Sequence, residues 1–140
     1  MTTYNTRVVL FHARYTQQKL TFLVETATFH FNKKESLLIL VDDDKAAQFV
    51  DELLWKSPPT GFLPHIVAQE TTPELLTITR IKSNLNQSKN AFNLCSIPLM
   101  IEGPFRIIYD FEDLTSPNKQ HLSALRFEAY KQAGYTIEAR

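Results

Sequence analysis

Ser36-Leu37-Leu38-Ile39-Leu40-Val41 is apolar from its second residue to its last, with no polar alternation. A strand of that kind has to be covered on both faces, which places it inside a sheet flanked by helices. Its neighbours in the chain agree. Arg7-Val8-Val9-Leu10-Phe11-His12 is another short β-branched run and reads as a first strand. Between the two, Leu20, Leu23, Val24, Ala27 and Phe31 fall at helical spacing from about Thr16 to Phe31, and the polar Asn32-Lys33-Lys34-Glu35 ends that helix. After the second strand, Asp42-Asp43-Asp44 supplies an N-cap and acidic first-turn residues for a second helix, with Ala46, Phe49, Val50, Leu53 and Leu54 as its buried stripe. Strand, helix and strand in this order imply parallel pairing and a right-handed crossover.

Three more strands are predicted, over residues 75–81, 91–97 and 105–111. A polar loop, 83–90, separates the first two, and Glu102-Gly103-Pro104 separates the last two. Thr115-Ser116-Pro117-Asn118 opens a final helix that runs to about Ala133, with Gly134 where a C-cap belongs. Leu122, Leu125, Ala129 and Ala133 are its expected core stripe. The expected fold is α/β: a three-layer sandwich with a mostly parallel, about five-stranded sheet and helices on both faces, Rossmann-like in outline. With 140 residues, 44% of them hydrophobic, the chain can bury a real core, and no repeat or linker divides it. A single domain over 1–140 is expected.

Such a fold suits a nucleotide enzyme, so the glycines matter. Only Gly61, Gly103 and Gly134 occur, and none follows the first or second strand. The tight turns that let backbone approach a pyrophosphate are therefore missing, and no nucleotide-binding loop is expected. Leu38-Ile39-Leu40-Val41-Asp42-Asp43-Asp44 superficially resembles the first strand of a receiver domain, but no Asp occurs between Asp51 and Asp110 to serve as phospho-acceptor. Carboxylates favoured by a helix N-terminus explain the triplet more simply. His12, His30, His65 and His121 form no ligand pair with one another or with Cys95. Cys95, the only cysteine, sits in an apolar run and reads as a core residue. No cofactor, metal or catalytic residue is expected. The competing enzyme reading is a small metal-dependent α/β enzyme using Asp42 and Asp43. Zero net charge argues against binding nucleic acid through bulk charge, so little or no direct contact with it is expected. No apolar run is long enough for a membrane span and no signal-peptide core follows the N-terminus; a cytoplasmic protein is expected.

Two places suit protein binding. The stretch 53–65 holds the only Trp, Trp55, with Phe62 and the prolines Pro58, Pro59 and Pro64. Large apolar residues on a rigid connection suit a partner surface, and closing the core is the equally weighted alternative. On the last helix Phe127 lies off the expected core stripe, with Gln120, Ala124 and Lys131 on its side. A Phe beside a Lys on an outward face can receive an apolar peptide end that carries a carboxylate.

These residues resemble the chi subunit of bacterial DNA polymerase III. The resemblance runs from the second strand through Glu52-Leu53-Leu54-Trp55, Pro58, Phe62-x-Pro64-His65, Ala68 and Glu70, and the Trp-x6-Phe-x-Pro-His spacing is its most specific part. It resumes over Arg126-Phe127-Glu128-Ala129-Tyr130-Lys131-Gln132-Ala133-Gly134-Tyr135. The resemblance implies a non-catalytic adaptor, monomeric or heterodimeric, that joins the clamp loader, through a psi-like partner, to the acidic, Phe-ended tail of single-stranded DNA-binding protein. A helicase can take the place of psi. Leu54, Trp55, Phe62 and Pro64 would form the psi-like surface. Phe127, Lys131, Gln120, Ala124, Glu128 and Arg126 would form the tail surface. There the chain departs from the family: Gln120, Ala124 and Glu128 stand where basic residues are expected, while Arg126 and Lys131 remain basic.

Overall fold

A computed structural model describes residues 5–57, 63–103 and 105–140. The chain runs β1 (Arg7–Ala13), α1 (Thr16–Asn32), β2 (Leu37–Leu40), α2 (Asp44–Lys56), β3 (Ile66–Val67), β4 (Leu76–Thr79), β5 (Asn90–Asn93), β6 (Ile107–Asp113), α3 (Pro117–Gln132) and β7 (Thr136–Ala139). The strands form one sheet in the order β3-β4-β2-β5-β6-β1-β7, and every described pair is parallel.

The α/β architecture expected from sequence is present, with seven strands rather than about five. The two additions are its edges. Two-residue β3 emerges from the proline-rich connection and has no apolar run to announce it. β7 follows the helix stop at Gly134 and pairs with β1 through Arg7↔Thr136 to Leu10↔Ala139. The strand predicted over 91–97 ends at Asn93, after which Cys95, Leu99 and Phe105 fold back into the core. In that stretch a loop, not a helix, makes the crossover between parallel neighbours β5 and β6.

Alternation along the strands divides the core in two. Val9, Phe11, Leu37, Ile39, Phe92 and Tyr109 point to the face covered by Leu23 and Ala27 of α1 and Val50 and Leu54 of α2. Val8, Leu10, Leu38, Leu40, Ala91 and Ile108 point to the opposite face, under α3 and the loop after β5. The helix ends follow local chemistry. Asp43 caps α2, accepting the Ala46 N–H at 2.8 Å, and Ser116 caps α3, with Pro117 in the first turn. Gly134 (φ 84°) closes α3: its N–H reaches the Lys131 carbonyl, and the Tyr135 N–H reaches that of Tyr130. A left-handed residue at this position favours glycine.

Two expected stripes are corrected. In α2 the buried residues are Ala47, Val50 and Leu54, and Phe49 is 53% exposed. In α3 the buried residues are Ser123, Arg126 and Tyr130, whereas Leu125 is 55% exposed and Ala133 is exposed.

His30 of α1 is buried, with Nε2 at 2.8 Å from the Tyr109 hydroxyl and Nδ1 at 3.2 Å from Glu35. Burial lowers its pKa from 6.5, against the opposing pull of Glu35. Below 6.5 the unfolded chain therefore takes up a proton that the folded chain resists, so stability falls as pH drops. Urea denaturation at about pH 8 and about pH 5.5 will show this slope, and His30→Gln will flatten it. An unchanged slope in the variant would contradict the assignment.

Candidate functional site

The first surface is built at the C-terminal end of α2. The helix carries Leu54 inward, where it is fully buried and its carbonyl accepts the Leu63 N–H at 3.0 Å. Leu54, read both as part of the buried stripe and, by resemblance, as part of the partner surface, is thus a core residue. Trp55 points outward and is 46% exposed. Its indole N–H donates to Asp51 at 3.1 Å, one helical turn back. The same Asp51 oxygen lies 2.7 Å from Nε2 of His65, whose ring packs on the indole with centroids 4.9 Å apart. His65 also meets the Leu63 carbonyl through Nδ1. Trp55 is therefore oriented by Asp51 and His65 while close to half of its surface stays exposed. Pro64, next to His65 in the chain, is exposed. Phe62, Pro58 and Pro59 lie outside the described residues. Sequence reading missed Ile66 and Val67, both exposed on the edge strand β3. A two-residue strand at a sheet edge has too little pattern to be found in advance.

The second surface is a groove of ≈ 360 Å³ between α3 and the C-terminal ends of β1 and β6. Gln120, Ala124, Phe127 and Glu128 form its helical wall, so four of the six residues expected at the tail surface come together there. Leu10 and Phe111 contribute from the sheet, with Glu112 and Leu114 beyond. Phe127 is 37% exposed. Lys131 is exposed one turn further along the helix and does not line the groove. Glu112 pairs with His12, and Lys19 is bound at 2.8 Å to Asp113. Leu10, Phe111, Leu114, Ala124 and Phe127 make the groove partly apolar, and among the described residues the two charged ones that line it, Glu112 and Glu128, are both acidic. Glu112 was missed because it becomes a neighbour of α3 only through the sheet.

Arg126 does not join this surface. It is buried, with Nε at 3.2 Å from both oxygens of Asp110. Its other nitrogens donate to the Ser96 and Phe111 carbonyls and to Ser123 Oγ. Asp110 also accepts the Tyr130 hydroxyl at 2.6 Å and the Asn93 amide at 3.1 Å. Tyr130 in turn accepts the Leu99 N–H. Burial pushes the Asp110 carboxyl up, opposed by the Arg126 charge and by these hydrogen bonds. The network ties α3 to β6 and to the loop after β5.

The remaining candidates have structural partners. Asp42 accepts the Ser96 N–H at 3.1 Å, Asp43 caps α2, and Asp44 pairs with Arg80 at 2.8 Å. Among the described residues no group of three or more His, Cys, Asp and Glu side chains is gathered to hold a metal. Cys95 is buried, as expected of a core residue, and burial pushes its thiol pKa up. Among the described residues no helix is long and apolar enough to cross a membrane.

A family model described as DNA polymerase III chi subunit, HolC, matches residues 6–138, nearly the whole chain. No curated protein gives a significant match.

Proposed function

We propose that this chain, which belongs to the DNA polymerase III chi subunit family and so is an accessory subunit of that polymerase, is a non-catalytic adaptor with two peptide-binding surfaces. Trp55, held by Asp51 and His65, anchors a psi-like clamp-loader subunit, or a helicase in its place. The groove under Phe127 receives the C-terminal tail of single-stranded DNA-binding protein.

The observation that supports the tail reading is the position of Phe127, half-exposed over a groove with apolar walls. A terminal aromatic side chain can enter there. The acidic residues before it need cations, and Glu112 and Glu128 repel those acidic residues from the groove. The tail then runs away from the groove toward exposed Lys131, four residues beyond Phe127.

Fluorescence anisotropy of a labelled acidic, Phe-ended peptide tests this. Binding will be saturable and will weaken with salt. Phe127→Ala and Lys131→Ala will each weaken it by about tenfold. Glu128→Lys replaces a repulsion with an attraction and will tighten it by roughly tenfold or more. Absence of binding, or an affinity that none of the three substitutions moves, would refute the tail site.

A further inference from the structure

The loop after β5 forms one side of a second, half-open cavity, of ≈ 220 Å³, that neither surface uses. Leu40 and Asn93, the last residues of neighbouring strands β2 and β5, stand at its base. Here the chain diverges: from β2 it passes through α2 toward β3 and β4, and from β5 it passes to β6 on the other side. In open parallel sheets, the crevice at the carboxyl ends of such diverging strands is where ligands bind.

The lining defines the ligand. Ile97, Leu99, Met100 and Ile101 make the walls apolar, and Ile97 and Met100 are exposed at the rim. Asn93 has no donor to spare for a ligand. Its amide donates to the Ile97 carbonyl, Asp110 and Tyr130, and its oxygen accepts the Cys95 N–H. Lys82 is the cation among the lining residues, and its ammonium donates to the Cys95 sulfur at 3.1 Å, a weak acceptor. Asp42 lies outside the lining, with its oxygens on the Ser96 N–H. An ammonium has three donors, and a carboxylate entering the cavity would receive a charge-assisted bond from it. The volume is below the roughly 300–1,000 Å³ of a drug-sized site, which restricts the occupant to a single branched or aromatic group.

The geometry points to a binding site for a small apolar monocarboxylate, its tail among Ile97, Leu99 and Met100 and its carboxylate on Lys82. The site is separate from the Phe127 groove, so each can fail without the other.

Titrating the ¹⁵N-labelled full chain with isocaproate, and separately with neutral isocaproamide, tests this by NMR. Isocaproate will shift the amides of Cys95, Ile97, Leu99 and Met100 saturably, and the amide analogue will bind at least about tenfold more weakly. Lys82→Met will lose about tenfold in affinity for isocaproate, Lys82→Arg will restore most of it, and Phe127→Ala will leave it unchanged. Lys82 is exposed, so these variants fold. Equal affinity for acid and amide, shifts confined to α3, or no shifts at the solubility limit of the ligand would overturn the site.

Discussion

Arg126→Met will destabilise the fold by about 3–5 kcal/mol, the range for removing one partner of a buried ion pair. The guanidinium donates to the Asp110 carboxylate, to two carbonyls and to Ser123, all inside the molecule. Methionine fills the space without supplying a donor. Asp110 then keeps the Tyr130, Asn93 and Phe111 hydrogen bonds but loses its counter-charge. Burial already raises its pKa, so the carboxyl will escape by taking a proton, and that escape sets the ceiling on the loss. Asp110→Asn will cost less, because Arg126 retains its three neutral acceptors. Urea denaturation of the three proteins measures this order. A loss below about 1 kcal/mol for Arg126→Met would mean that the pair contributes no more than an exposed salt bridge.

Trp55→Ala will weaken binding of a psi-like partner by at least about 2 kcal/mol, roughly thirtyfold, as expected for a central aromatic anchor. The indole is oriented by Asp51 and His65 before any partner arrives, so little side-chain freedom is lost on binding. The fold will tolerate the change, because Leu54 and Leu63 close the core beneath it and Trp55 is half in solvent. Calorimetric titration against the purified partner, beside a thermal melt, separates the two effects. Full partner affinity in the variant would remove Trp55 from the interface. A collapse of the melt would mean instead that it is a core residue.

The two surfaces differ in how much of them could be read in advance. The partners of Trp55 are close in the chain, Asp51 one turn back on the same helix and His65 within the same connection, although the sequence reading did not assign them that role. For the groove, helical geometry put Gln120, Ala124 and Phe127 on one wall, but Glu112 and Leu114 come from the end of β6 and the residues after it. Which side of α3 meets the sheet decides whether they are neighbours at all. Leu122 and Leu125 suggested one answer by apolar spacing, yet the buried arc is Ser123, Arg126 and Tyr130. Asp110 selects that arc. A carboxylate buried in the middle of β6 demands donors, and only this face of α3 carries both a guanidinium and a phenol.

By itself the amino-acid sequence determined the α/β class, the common direction of the first two strands, the caps of α2 and α3, and the absence of a glycine-rich phosphate loop; the pairing expected of β1 and β2 does not form, because β5 and β6 lie between them. These follow from periodicity and from backbone chemistry within a few residues. Tertiary structure decided the two edge strands β3 and β7, the inward turn of Arg126, and the acidic lining of the groove. Each of those depends on a partner far away in the chain, and a strand edge or a buried charge acquires its meaning only from what the fold sets against it.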